Sequence, residues 1–381
     1  MSNNNLVKRI LTYDNLWCNS LQIYNPYRDP WPIKISKNVP DFDGQAFRKY
    51  RKFQWVYDKL LIATSQGLNG GTLENLITNE PKHINYPIFI KPRYGHKSAS
   101  SKNCFKIKCY NDLLQYKNIP EMIWTEFIPE TEGMTDYLIH NGNIVHQITY
   151  LYSETQHGTI ADDWKKISPS NKPPDKINNW TMQNMRNYSG VCNVQYRGDK
   201  IIEIGLRFAR GGAYIYSTNN LKLIKAINDL VDHNRWDYNS NSETYSFKEF
   251  YSFKCYTETP ILYLYPQYVL DNIMYHNECK EFYEYYFEPA GKGLSMVCFQ
   301  FLHNDFETGM KVKNQIENMM SLIQLLFVCA FIISFIIMTY NKKVGLILLV
   351  VLVLLYSTRL LNPISTQYSL WKSQKQALLL D

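Results

Sequence analysis

At 381 residues, with 45% hydrophobic and 20% charged side chains, the chain has ordinary globular usage spread over two or three domains, which excludes wholesale disorder. Its net charge of +7 comes without a Lys/Arg run interleaved with aromatics, so no nucleic-acid groove is expected, and some of the basic groups are left to face the phosphates of a smaller ligand. Eight dispersed cysteines, with no CxxC pair and no zinc-like spacing, read as reduced structural thiols.

The N-terminal stretch MSNNNLVKRILTYDNLWC has no apolar core of signal-peptide length, so export is not expected and the sequons at Asn179 and Asn187 carry little weight. Residues 1–80 read as a small mixed region. It is turn-rich to about residue 45; then Phe53, Val56, Tyr57, Leu60 and Leu61 recur at helical spacing, and Gly67, Gly70 and Gly71 end the helix. Residues 81–235 read as the core. Short strands are expected at 86–92, 121–129, 135–140 and 144–152, with Asn141-Gly142 as a hairpin turn between the last two. A polar stretch separates this sheet from another pair, 190–196 and 200–204, turned by Arg197-Gly198-Asp199, and a helix follows at about 220–233. Residues 236–318 are a tyrosine-rich α+β extension of unassigned role, and 362–381 a polar tail.

Met319 to Tyr340 is 22 residues without a charge, enough to cross a hydrocarbon core of about 30 Å as a helix. After Asn341-Lys342-Lys343, Val344 to Tyr356 is apolar but shorter, and Arg359 can extend it by snorkelling. The two read as a C-terminal transmembrane helical hairpin over 319–361, with one span plus an interfacial or re-entrant segment as the alternative. A hairpin leaves both flanks on one side. Lys311, Lys313, Arg359, Lys372 and Lys375 outnumber Lys342 and Lys343 of the turn, which by the positive-inside rule puts the N-terminal domain in the cytosol. The lipid bilayer is therefore an expected partner. A pore is disfavoured, because neither segment carries an interior charge. The Asn-, Ile- and Tyr-rich usage fits an AT-rich genome such as that of a large DNA virus.

Lys91 ends the strand PIFIKP and precedes RYGHKSASSKNCF. A strand-end lysine beside a small, hydroxyl-rich loop can neutralise phosphate oxygens while loop N–H groups cradle them; the plain alternative is a lysine reaching solvent. No Walker loop is present. Glu126 closes IWTEFIP, and Glu132 and Asp136 follow in ETEGMTD. Such a junction can offer backbone groups to an adenine edge and a carboxylate to ribose hydroxyls, or it is an acidic surface turn. Gln195 and Glu203, on adjacent strands joined by a short turn, can converge on one face, where two oxygen ligands suit Mg²⁺. Arg207 would then supply a fixed cation for a transferring phosphoryl group, the alternative being a self-satisfying Glu203–Arg207 ion pair. No G-x-S-x-G or H-E-x-x-H occurs, and the histidines are scattered.

Taken in order, YPIFIKPRYG, WTEFIPETEGMTD, NGNIV, GVCNVQ and IIEIGLRFARGG resemble the ATP-grasp superfamily, in particular its carbamoyl-phosphate-synthetase-like and carboxylate–amine ligase branches, over about residues 50–233. The resemblance implies an α+β fold of two subdomains clasping a nucleotide. It also implies a ligase that uses Mg-ATP to activate a small carboxylic acid as an acyl-phosphate and join it to an amine or other nucleophile. By that resemblance Lys91 is the phosphate-binding lysine, catalytic together with Arg207, and residues 95–104, including Ser98 and Ser100, are the phosphate loop. Glu126, Phe127 and Ile128 are the adenine-contacting hinge, Glu132 the ribose acceptor, and Gln195 and Glu203 the Mg²⁺ ligands. Arg207 is the arginine of the E-x-N-x-R signature. Gly205 departs from that signature, standing where the family has a metal-ligand asparagine. Residues 1–50 are also too few for the usual preceding α/β domain, and the phosphate loop is serine-rich rather than glycine-rich. Gly205 makes a catalytically impaired nucleotide-binding scaffold, tethered to a membrane, the alternative. Gly211-Gly212 is expected to allow close backbone approach, and Arg210 to face an acidic substrate or solvent.

Overall fold

The computed structural model describes residues 35–40, 43–79, 84–97, 104–154, 156–157, 161–209, 220–238, 249–257, 267–282, 289–290 and 295–354. The chain divides into two compact units, one of residues 31–252 and one that includes residues 253–381.

In the first unit α1 (Asp43–Lys49) leads through a 3-10 turn, Arg51–Tyr57, into α2 (Lys59–Ser65). The single helix expected through Phe53 to Leu61 is thus interrupted at Asp58. The backbone there is extended, and the carboxylate caps α2 by accepting from Leu60 N (3.0 Å) and Leu61 N (3.3 Å). Next come β1 (Gly70–Thr72), α3 (Leu73–Asn79), β2 (Ile88–Pro92), β3 (Phe105–Ile107), α4 (Tyr110–Leu114) and β4 (Met122–Glu126). These strands form an antiparallel sheet of order β1-β4-β2-β3. Ile88, Ile90, Ile107 and Met122 bury against Leu73, Leu76 and Leu113 of the flanking helices, so the centre is wholly apolar.

Residues 127–131 link this sheet to a second one, which begins with β5 (Glu132–His140) and β6 (Asn143–Tyr152). The four strands expected in one sheet are therefore shared between two. Asn141 and Gly142 turn the β5–β6 hairpin with φ of 51° and 83°, the left-handed pair that suits the strand twist. A short pair, β7 (Gln156–His157) and β8 (Ala161–Asp162), precedes β9 (Trp164–Ile167), α5 (Asp175–Asn184), β10 (Gly190–Arg197), β11 (Lys200–Gly205) and α6 (Leu221–His233). Within this unit the larger sheet runs β11-β10-β5-β6-β9. β10 and β11 thus join the sheet of β5 rather than forming a separate pair. The reason is a shared apolar face: Tyr137 and Ile139 of β5 with Cys192, Val194 and Tyr196 of β10 pack on Val56, Tyr57, Ile177 and Trp180. At the β11 edge Gln66 donates to Ile201 O (3.0 Å) and accepts from Ile201 N (2.7 Å). α6 matches the expected helix; the Asn220 side chain caps it, and Asn234 ends it in the left-handed region.

β12 (Phe250–Thr257) carries the chain into the second unit. There α7 (Gln267–His276), β13 (Lys280–Phe282), β14 (Pro289–Ala290) and β15 (Ser295–His303) give the strand order β12-β15-β13, with β14 beside β15. α8 (Phe306–Tyr340) begins well before Met319. Asp305 caps it by accepting from Thr308 N (2.8 Å), and Val312 and Ile316, one turn apart, are buried. Among the described residues it is the one helix long and apolar enough to cross a membrane. Leu325, Leu326, Ile332 and Ile336 on it are exposed. The chain breaks helix at Asn341 and resumes it over 342–354; the remainder of the second expected span and the polar tail lie outside the described residues.

Candidate active site

Strand alternation decides which side chains lie on the face of the larger sheet away from the apolar core. Gln195 is directly opposite Glu203 and Asn193 opposite Gly205; across β5, Asn193 meets Asp136 and Gln195 meets Met134. This face is polar and closely bonded. Asp136, which from the sequence could have been part of a surface turn, has no solvent exposure. It accepts from Tyr150 Oη (2.8 Å), Asn193 Nδ2 (2.7 Å) and Ala209 N (2.9 Å). Burial pushes its pKa up to about 6 against the pull of those donors and of Arg207. Gln195 donates through Nε2 to Tyr152 Oη (3.2 Å).

The residues that follow β11 are clamped in succession. Leu206 N donates to Tyr57 Oη (2.9 Å), Arg207 donates from Nε (3.0 Å) and Nη2 (2.6 Å) to Asp43 Oδ2, and Ala209 N donates to Asp136. The Arg207 and Asp43 side chains are each only 13% exposed. Glu203 pairs instead with Lys59, Nζ to Oε2 3.2 Å. The Glu203–Arg207 pair open from the sequence is therefore replaced by two others, Glu203 with Lys59 and Arg207 with Asp43.

Lys91, at the end of β2 and 7% exposed, reaches from the smaller sheet to the larger, donating to Ile202 O (2.8 Å). Burial and the neighbouring Lys59 charge bring its pKa down to about 8. For Lys59 burial also works against the charge, but Glu203, Cys104 and Asp43 more than offset it, so its pKa lies above the ordinary lysine value. Burial pushes the Cys104 thiol up to about 11, although both lysines pull it down. Two buried ammoniums, Lys59 and Lys91, thus stand close to Glu203, whose side chain is 34% exposed, while the other carboxylates in electrostatic reach, Asp43 and Glu132, are paired with Arg207 and Arg197. Such a surplus of positive charge in a low-dielectric recess favours a polyanion. Gly95 allows the approach of this group: a Cβ there would be 3.3 Å from Glu203 Oε1 and 3.5 Å from Lys59 Cε.

The other expected residues lie along the linker between the sheets. Glu126 ends β4 and accepts at Oε1 from Asn69 N (3.1 Å). The Phe127 ring lies under Lys106 Nζ at 3.8 Å, and Ile128 is half-buried. Glu132 opens β5 opposite Arg197 and pairs with it at 3.1 Å. Lys91, Gln195, Glu203 and Arg207 gather around β11, whereas Ser98, Ser100, Arg210 and Gly211-Gly212 lie outside the described residues. Sequence reasoning missed Lys59 and Asp43. Lys59 looks like a first-turn helix residue and Asp43 like part of a turn-rich segment; only long-range packing reveals either.

Among the described residues no three His, Cys, Asp or Glu side chains gather as a metal site. The polar face offers oxygen instead: Glu203, the amide oxygen of Gln195, and Asp43 Oδ1, which is buried and has no hydrogen-bond partner. Hard oxygen donors with few carboxylates fit Mg²⁺, which keeps waters and substrate phosphates in its shell.

In comparisons of sequence, no family model matches the chain and no curated protein is similar to it. Its fold is similar to solved ones. Carboxyaminoimidazole ribonucleotide synthase from Aspergillus clavatus, complexed with ATP, gives a TM-score of 0.51 at 11% identity, over 74% of this chain and 79% of that one. N5-carboxyaminoimidazole synthetase from Staphylococcus aureus, complexed with ADP, gives 0.50 at 12% identity, over 70% and 72%. Both are ATP-grasp enzymes, and the fold described above is similar to theirs.

Proposed function

We propose that the chain is an ATP-grasp ligase that activates a small carboxylic acid with ATP and joins it to an amine or other nucleophile, anchored in a membrane by α8 and the helix that follows. The observation that carries this reading is the pair of buried ammoniums, Lys91 and Lys59, beside Glu203, with the carboxylates of Asp43 and Glu132 already paired to arginines. Together the two ammoniums neutralise the phosphate oxygens of ATP. The backbone of Glu126, Phe127 and Ile128 meets the adenine edge, and Glu132 accepts from the ribose.

Glu203 and Gln195 would hold Mg²⁺, which when bound draws charge from the phosphate oxygens. An oxygen of the substrate carboxylate attacks the γ-phosphorus, the bond from phosphorus to the β–γ bridging oxygen breaks, and ADP leaves. The nucleophile then attacks the acyl carbon and phosphate departs, an amine losing its proton. No side chain is covalently modified, so the protein contributes position and charge neutralisation. Arg207, oriented by Asp43, is the fixed cation for the transferring group.

The test is ADP release by the purified full chain with Mg-ATP and a panel of amino acids and other carboxylic acids. Acid-dependent release is expected, and Lys91→Ala and Glu203→Ala should each lower it at least about 100-fold; full activity in either variant refutes the site. Gly205 favours a second reading, a scaffold that binds nucleotide without turnover. Tight binding with no release across the panel would support that reading, and release stimulated by any one acid would refute it. The exposed apolar face of α8 supports the anchor. The chain should stay with the membrane pellet after an alkaline carbonate wash, and recovery in the supernatant overturns the anchor alone.

A further inference from the structure

We infer that Asp43 supplies the oxygen ligand that Gly205 cannot, its Oδ1 joining Glu203 in holding the divalent cation of the bound nucleotide. The inference rests on the nucleotide reading above. An ideal Cβ at residue 205 would lie 2.7 Å from Asp43 Oδ1, closer than real Cβ contacts. A carboxylate from α1 therefore fills the space a side chain at 205 would take, and glycine is the residue that makes room for it.

The two oxygens of Asp43 are used differently. Oδ2 accepts both donors of Arg207, while Oδ1 is buried and accepts nothing. An anionic oxygen left in that state is costly, and a cation relieves the cost. The bidentate hold by Arg207 fixes the carboxylate so that the same oxygen always stays free, the usual arrangement by which an outer partner orients a metal ligand. Glu203 lies two residues before Gly205 on β11, on the same face of the strand. Lys59, bonded to Glu203 at 3.2 Å, is also within electrostatic reach of Asp43. The ligand absent from the E-x-N-x-R signature has thus been moved to another element rather than lost.

The test uses the full chain with Mn²⁺ as a paramagnetic probe and a non-hydrolysable ATP analogue. Wild-type protein should bind Mn²⁺ tightly only when the analogue is present. Asp43→Ala should weaken that binding about 10- to 100-fold, well beyond any change in metal-free binding of the analogue that comes from releasing Arg207. Gly205→Asn alone should weaken it too, because the new side chain collides with Asp43. The double variant Asp43→Ala/Gly205→Asn should recover most of the Mn²⁺ affinity, since it rebuilds the signature. If Asp43→Ala does not fold by thermal melting, the isosteric Asp43→Asn replaces it, with the same direction expected. Unchanged Mn²⁺ affinity in the folded Asp43 variant overturns the inference and leaves Asp43 as a positioning residue for Arg207. A wild-type chain that binds neither analogue nor Mn²⁺ overturns the nucleotide reading itself, a separate result.

Discussion

The two sheets of residues 31–252 are stabilised in different ways. The smaller one has an apolar centre and sends the Lys91 side chain across to its neighbour. The larger one buries a set of polar groups that satisfy one another, with Thr135 bonded to Thr149 at 2.9 Å and Asp136 held by Tyr150, Asn193 and Ala209. An apolar core is non-directional and tolerates small shifts, whereas a bonded polar network has one good geometry. The larger sheet is therefore the preorganised half, which suits the fixed positions that the roles proposed for Glu203 and Arg207 require. The smaller sheet is the adaptable half.

The strongest way to break that comparison is Ile90→Ala. Ile90 is fully buried in the smaller sheet, so the change should cost about 2–5 kcal/mol. Amide exchange should rise across β1 to β4 and stay slow in β5 and β10; a uniform rise would mean the two sheets open together. Asp136→Asn comes next, at about 1–3 kcal/mol, because an amide nitrogen would then face a donor. A denaturant titration measures it, and no change would mean the network is ornamental. The pH dependence sharpens this. With its pKa near 6 in the fold and about 3.9 when unfolded, Asp136 binds its proton more readily in the folded state. It should therefore stabilise the fold progressively as pH falls from about 6 to about 4, a gain the asparagine variant lacks.

The smallest effect concerns Lys91. Its pKa of about 8 lies below the ordinary 10.5, so the unfolded chain holds that proton over a range where the folded one has lost it. Stability should rise as pH climbs through this window. Nucleotide affinity should move the other way, since phosphates favour the ammonium: it should fall above pH 8 by at most about tenfold per pH unit. Calorimetry in buffers of different ionisation heat should show proton uptake there. A flat profile from pH 7 to 9 would remove Lys91 from the phosphate site.

Much of the larger sheet is legible in the sequence. Asn141-Gly142 and Arg197-Gly198-Asp199 mark its turns, and the short second turn predicts that Gln195 and Glu203 stand together, as the register has them. Alternation reveals strands but not their partners, so the division at 127–131 is invisible there. α5 buries only Ile177, Trp180 and Thr181, too few positions for its period to show. The Arg207–Asp43 bond joins residues 164 positions apart, and no local pattern predicts such a pairing. Gly205 illustrates the limit best, reading as a deletion until the carboxylate in its place is seen.

The groups that meet the outer edge of β11 also bear on self-association. An edge strand with free N–H and C=O groups invites a strand from another molecule. Here Gln66 behaves as a one-residue strand against Ile201, and Lys91 occupies the carbonyl of Ile202. The same lysine that gives the cleft its charge thereby helps to blunt the edge against polymerisation. A nucleotide that draws Lys91 away would release the carbonyl of Ile202 while Gln66 still holds Ile201.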